Sequence, residues 1–267
     1  MTKKIIALLL ATLMLCALVA CGEKEDGVTD DPVINLGVQY LTYTNEDGDT
    51  FTYDYTSSTT VAITAFSGSD DPHTVKIPAV IDDYKVTSIA PEAFFSYSNI
   101  SAVILPEGLL TVGNYAFAGC VALTSVTFPS TMKDYDGAPS IGEGAFYGCT
   151  SLTAIDLSKT STVTVGDNAF AGCTALTKIT FPTSLKTIGE YAFGACSALT
   201  AITIPEGVTT VGAQAFYDCT SVASLTLPAS LTNIGDWAFN PAARTLEDTA
   251  ISVPAGSYAQ SYLKALR

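Results

Sequence analysis

The stretch "IGEYAFGACSALTAITIPEGVTT" occupies Ile188–Thr210, and "VGAQAFYDCTSVASLTLPASLTN" follows at once at Val211–Asn233. The two say nearly the same thing. The phenylalanine of each Ala-Phe pair recurs at Phe94, Phe117, Phe146, Phe170, Phe193, Phe216 and Phe239, at gaps of 23, 29, 24, 23, 23 and 23 residues. A fixed period of this size predicts a solenoid, in which each unit stacks on the next. The two longer gaps mark insertions, at "TMKDYDGAPS" (Thr131–Ser140) and within "SKTSTVT" (Ser158–Thr164).

Within one unit, Ile188, Ala192, Phe193, Cys196 and Leu199 fall at spacings that suit one face of a helix. Ile202 and Ile204 then alternate with Ala201 and Thr203, which is strand spacing. Pro205 ends that strand because it has no N–H for the ladder, and Glu206-Gly207 turns the chain. The unit therefore reads as short helix, corner, short strand, turn. Glu143, Asp167, Glu190 and Asp236 each follow a glycine, where their charge would suit a helix N-terminus, and Pro91 suits a first helical position. A single unit has one apolar side, so only stacking buries it; each large side chain buried contributes ~1.5–3 kcal/mol.

"LTAITIP" (Leu199–Pro205) joined to "IGEYAFGAC" (Ile188–Cys196) resembles the BspA-type leucine-rich repeat of bacterial surface proteins, over roughly residues 73–254. The asparagine that follows the strand in common leucine-rich repeats is replaced here by a proline near that point. The resemblance implies an α/β solenoid, a right-handed superhelix of about seven to eight coils with one short strand and one short helix per repeat. It also implies adhesion to, or recognition of, host or microbial proteins.

The ends differ from the repeats. Residues 1–20 pair Lys3 and Lys4 with an apolar run and read as a secretory signal peptide. "LVAC" (Leu18–Cys21) resembles the lipobox of bacterial lipoproteins, which implies that Cys21 becomes a lipidated N-terminus on the outer face of a membrane. Residues 21–39 are acidic and punctuated by Gly and Pro, as in a flexible tether. Residues 40–87 read as a β-rich N-terminal cap with a first imperfect coil, residues 88–254 as the solenoid, and residues 255–267 as a capping helix. That helix would begin at Ser257 and turn Tyr258, Tyr262, Leu263 and Leu266 to one side.

The formal charge is -14, and loss of Lys3 and Lys4 on export takes it to -16. Such a chain repels nucleic acid and anionic lipid headgroups, so neither is expected as a partner. Catalysis needs unlike groups converging on a point, whereas repeats spread like groups along a line, so the reading is a non-enzyme without cofactor. His73, the single histidine, lies in a polar turn and reads as a surface residue. "GEGAFYG" (Gly142–Gly148) begins like a dinucleotide fingerprint, but its last glycine falls one residue late and the repeat explains it. "NEDGDT" (Asn45–Thr50) has the oxygen density of a calcium loop without the closing glutamate, and a hairpin turn accounts for it better. Cys120, Cys149, Cys173, Cys196 and Cys219 each follow a repeat phenylalanine by three residues. Their apolar phase and odd number favour small buried hydrophobes over one or two bridges.

If the central strand residues point inward, their neighbours line an outer sheet face. Ser125, Thr127, Asp156, Lys178, Thr180, Thr203, Ser224 and Thr226 then become the candidate partner-binding residues. The expected partner is an extracellular protein, held by a monomer that is anchored through Cys21. A spacer without a ligand is the alternative. A glycan-binding module is disfavoured because that strand face lacks aromatic platforms, and an ice-binding threonine ladder is broken by Ile104 and Asp156. The Thr131–Ser140 insertion is a second candidate surface.

Overall fold

The computed structural model describes residues 40–266. The signal, tether and Cys21 readings, and Arg267, lie outside the described residues.

The chain enters through a β-sheet. Strands β1 (Leu41–Thr44), β2 (Thr50–Tyr55) and β3 (Thr60–Ser67) run antiparallel in sequence order. Residues 45–49 turn between the first two, with the Asp49 N–H donating to Asn45 Oδ1 at 2.9 Å. Strand β4 (His73–Lys76) leaves this sheet and starts the first solenoid row. Strands β5 (Val80–Ile81) and β6 (Tyr84–Ile89) form a hairpin across Asp82 and Asp83, both left-handed at φ 46° and 70° as a tight primed turn requires. Strand β6 pairs in parallel with β3 and carries the cap into the solenoid.

Each coil then contributes three elements. The first is the strand that alternation marks: Ile100–Ile104, Ser125–Thr127, Ala154–Asp156, Lys178–Thr180, Ala201–Thr203, Ser224–Thr226 and the shorter Ile251–Ser252. Their pairing is parallel, with Val103 opposite Val126, Ile155 opposite Ile179 and Ile202 opposite Leu225. The row is split into three pieces, after Ser125–Thr127 and again after Lys178–Thr180. Both splits follow a coil that puts phenylalanine where the others put Leu or Ile: Phe128 and Phe181, against Leu105, Leu157, Ile204 and Leu227. Each ring sits edge-on against the next coil's repeat phenylalanine, Phe128 at 5.8 Å from Phe146 and Phe181 at 5.7 Å from Phe193. A ring is bulkier than a branched aliphatic side chain, and both breaks in the strand pairing fall at these two positions.

The second element is a row of two-residue strands that sequence reading folded into the helix. Ser88–Ile89 pairs with Thr111–Val112; bridges at Ile141 continue the row to Thr164–Val165, Thr187–Ile188, Thr210–Val211 and Asn233–Ile234. Ile188 is thus a strand residue, buried like Val165 and Val211. From Val112 onward the glycine that follows each of these strand positions allows close approach. A Cβ on Gly166 would meet Ile141 O and Gly142 C at 2.7 Å.

The third element overturns the helix-per-repeat expectation: the Ala-Phe segment is a ladder of turns. From Gly189 to Cys196, the N–H groups of Tyr191, Phe193 and Ala195 donate to Ala213, Ala215 and Tyr217 of the next coil, at 2.9, 2.8 and 2.7 Å. Gly194 and Cys196 donate back three residues, to Tyr191 and Phe193. An α-helix would send each N–H to the carbonyl four residues back. Tyr191 and Ala195 are left-handed, at φ 52° and 56°, which no helix tolerates. The apolar spacing suited a helix because two successive turns repeat nearly as one helical face does. Without helices, the dipole argument for Glu143, Asp167, Glu190 and Asp236 falls away.

Inside this ladder the seven repeat phenylalanines are buried in one column. Neighbouring ring centroids lie between 4.7 Å (Phe94–Phe117) and 5.6 Å (Phe216–Phe239), with planes within 15° of parallel. Phe66 of the cap extends the column, 4.9 Å from Phe94. At the far end, a short helix, Ala242–Thr245, follows the last turn. A second, Tyr258–Leu266, buries Ala259 and Leu263, and the Gln260 N–H donates to Ser257 Oγ at 3.1 Å. Tyr258, expected on the inner side of that helix, is exposed.

Candidate functional site

Two surfaces cover the core, and they differ in chemistry. On the strand face, Ser125, Thr127, Asp156, Lys178, Thr203 and Ser224 are exposed, while Thr180 and Thr226 are half-buried. Parallel register sets Ala154 beside Lys178, Asp156 beside Thr180 and Thr203 beside Thr226. The structure therefore brings the eight candidates onto one side of the coils, but in separate pieces of sheet. Three of the threonines just before these strands are occupied. Thr124, Thr153 and Thr177 donate their hydroxyls to the Ser101, Thr124 and Thr153 carbonyls of the preceding coil, at 2.8, 3.3 and 3.0 Å. Asp156 is held below the usual carboxylate range by hydrogen bonds from Ser158, with Lys159 and Lys178 adding to the effect. The Ser158 N–H reaches its Oδ1 at 3.0 Å.

The turn face carries rings instead. Two outward slots flank each repeat phenylalanine, two residues before it and one after it. Phe95, Tyr115, Tyr147, Tyr191, Tyr217 and Trp237 alternate between these slots, and the Phe170 coil, with Asn168 and Ala171 there, carries no ring. Trp237 is 52% exposed and Tyr147 48%. Small residues make room: a Cβ on Gly194 would lie 2.5 Å from the Tyr191 ring, and one on Gly144 2.3 Å from the Tyr115 ring. Tyr191 lies 6.4 Å from Tyr217, which is 6.0 Å from Trp237 and within 20° of parallel to it. Carboxylates run beside the rings. The Tyr115 hydroxyl donates to Glu143 Oε1 at 2.6 Å, and this bond, then burial, raises the phenol's pKa. Burial raises Tyr191, with the Asp218 charge adding to it. Sequence reading missed this face because it assigned these residues to helices. The alternation of large and small residues around each Ala-Phe pair was the available signal.

The five repeat cysteines are buried and free. Each donates its S–H to the carbonyl of the preceding coil's phenylalanine, from Cys120 to Phe94 O at 3.1 Å through Cys219 to Phe193 O at 3.3 Å. In the first coil Tyr97 occupies the same slot, and its hydroxyl donates to Phe66 O. The slot thus serves to cap a buried carbonyl. Burial pushes the Cys120 and Cys219 thiols up to about 12, so they are not nucleophiles near neutrality.

His73 is not a free surface residue. Its Nε2 lies 2.9 Å from Oδ1 of Asp49, which is 1% exposed, and its Nδ1 lies 2.9 Å from Asp71 O. Burial alone would lower its pKa; the contacts with Asp71 and Asp49 outweigh that and raise it. The two insertions meet each other. Asp134 Oδ1 accepts from the Ser140 and Val163 N–H groups, at 3.1 and 3.2 Å, and Lys133 bridges to Ser161. Among the described residues, no group of three His, Cys, Asp or Glu is placed to hold a metal, and no helix is long and apolar enough to cross a membrane.

The BspA type leucine-rich repeat region matches in six copies, at residues 59–138 and 135–247. The chain belongs to the BspA-type leucine-rich repeat family. Solved structures share this repeat architecture. A leucine-rich repeat protein from Bacteroides ovatus is 25% identical, with a TM-score of 0.47, over 70% of this chain and 54% of that one. The BspA-type chain thus spans about half the length of that relative. The pneumococcal vaccine antigen PcpA is 18% identical, with a TM-score of 0.53, over 80% of this chain and 70% of that one; at this identity the likeness is one of fold. A Treponema pallidum leucine-rich repeat protein is 24% identical over 74% of this chain and 79% of that one, with a TM-score of 0.43. No curated protein matches the chain.

Proposed function

We propose that this BspA-type protein is exported, anchored by lipid on Cys21, and binds an extracellular protein through an outer face of its solenoid. Membership of a surface-type repeat family supports the location, as does the order of basic start, apolar run and "LVAC". The observation that carries the binding role is the stacked column itself. It holds the backbone of each coil in the same place, so the outward residues that differ between coils form fixed, extended patterns. Such surfaces suit recognition of something long better than turnover of something small.

The test is capture of purified host matrix proteins by the full-length chain. Saturable capture of at least one is expected, and silence across the panel makes the protein a spacer. The Thr127, Lys178 and Thr180 positions, changed together to alanine, assign the face: capture lost places it on the strands, and capture kept moves it elsewhere. Anchoring is checked separately. Cys21→Ser should abolish incorporation of a labelled fatty acid; labelling that persists removes Cys21 from the proposal.

A further inference from the structure

The turn face combines two features the strand face lacks. Six of its seven coils carry a ring, from Phe95 in the first to Trp237 in the last, a line of about 29 Å at ~4.8 Å per coil. The line is interrupted only at the Phe170 coil, where Asn168 and Ala171 fill the slots. Its charges have one sign. The seven turn segments contain Glu92, Glu143, Asp167, Glu190, Asp218 and Asp236, and neither Lys nor Arg. Consecutive coils place Glu143, Asp167 and Glu190 in the same slot, so like charges sit one coil apart, which disfavours the isolated protein. Two of these side chains are engaged within the ladder, Glu143 by the Tyr115 hydroxyl and Asp167 by the Glu190 N–H at 2.7 Å. Rings with electron-rich faces beside uncompensated carboxylates attract one class of group, the guanidinium or ammonium cation.

Resting on the protein-binding reading above, we infer that the turn face, not the strand face, is the binding surface, and that its partner presents an extended segment rich in arginine. About nine residues of extended chain cover the line of rings. Planar guanidinium groups stack on Tyr191, Tyr217 and Trp237, while Glu190, Asp218 and Asp236 take the hydrogen bonds at their edges. Recognition spreads over many weak, like contacts, so it is steered by charge and sensitive to salt.

Trp237 is the chain's single tryptophan, so its emission reports directly on this face. The full-length chain is titrated with nona-arginine, and with nona-glutamate and chitohexaose for comparison. Saturable quenching by nona-arginine alone is expected, weakened more than about tenfold between 0.05 and 0.5 M NaCl. Calorimetry then compares variants that keep the net charge. Tyr217→Leu and Trp237→Leu should each weaken nona-arginine about two- to fivefold, and Thr180→Ala, on the strand face, should not weaken it. Tyr147→Leu, in a different coil, serves if either of the first two lowers the unfolding midpoint. Retained affinity in these ring variants would mean diffuse attraction to an acidic surface and overturns the inference; so does equal binding of chitohexaose, or none of nona-arginine. Capture of a matrix protein that nona-arginine cannot compete also overturns it, while leaving the wider binding role intact. A silent matrix panel with ring-dependent nona-arginine binding does the reverse.

Discussion

The strand face and the turn face lie over the same core, yet one is broken and the other is not. The strand row falls into three pieces, at Phe128 and Phe181. The turn ladder keeps three N–H bonds at every junction, from Glu92, Phe94 and Ser96 at the first to Gln214, Phe216 and Asp218 at the last. The longer strands of each coil are therefore not what makes this solenoid continuous. The continuity comes from turns whose every second N–H points along the long axis, and from glycines that let one backbone rest on the next. The surface chemistry follows the same division: small hydroxyls where the backbone is interrupted, rings and carboxylates where it is not.

That contrast can be broken by mutation. Phe170→Ala empties the middle of the column beneath the turn face and should cost ~3–5 kcal/mol in denaturant unfolding. Ile179→Ala, half-buried beneath the strand face, should cost less, about 1–2 kcal/mol. Equal losses would mean the two faces share the load. Gly166→Ala drives a methyl into the Ile141–Gly142 backbone and should cost more than ~2 kcal/mol, whereas Gly137→Ala, with open space but φ 77°, should cost about 1 kcal/mol. A mild effect at Gly166 would show that the coils can separate there.

Where the cap starts the first strand row, His73 adds a pH dependence. Its folded pKa lies above the unfolded value of 6.5, so protonation favours the folded state. The contribution is complete below about pH 6.5 and fades as pH rises through the folded pKa. Thermal unfolding of the wild type should therefore weaken relative to His73→Gln on going from pH 6 to pH 8; parallel curves would show that the Asp49 contact is energetically idle. The smallest effect is on the strand side. Thr177→Ala removes one exposed hydroxyl bond and should cost about 0.5 kcal/mol or less.

The period, the buried phenylalanines and the strand of each unit were legible because they rest on alternation and recurrence, which survive whatever the local backbone does. The turn ladder was not. Ile188, Ala192, Phe193 and Cys196 fit a helical face, and nothing in their spacing reveals that Tyr191 and Ala195 adopt positive φ. The signal was indirect: in six of the seven coils a non-glycine residue at the first left-handed position is held there by its neighbours above and below, Gly144 being the exception, and one sequence unit does not show its neighbours. His73 was misread for a related reason. Its partner Asp49 lies 24 residues earlier, outside any local pattern. The aromatic face is hidden in the sequence because its rings sit two residues before or one after each repeat phenylalanine, outside the alternation that marks the strands.

One consequence of the paired insertions concerns folding. A polymer of near-copies can dock with itself one coil out of step and satisfy most of the same contacts. Asp134 prevents that cheaply: its carboxylate closes its own loop at Ser140 and fastens the following loop at Val163, a fit available at a single junction. The two irregular stretches thus act as a key that only one alignment turns, and they give an otherwise degenerate array a unique address for each coil.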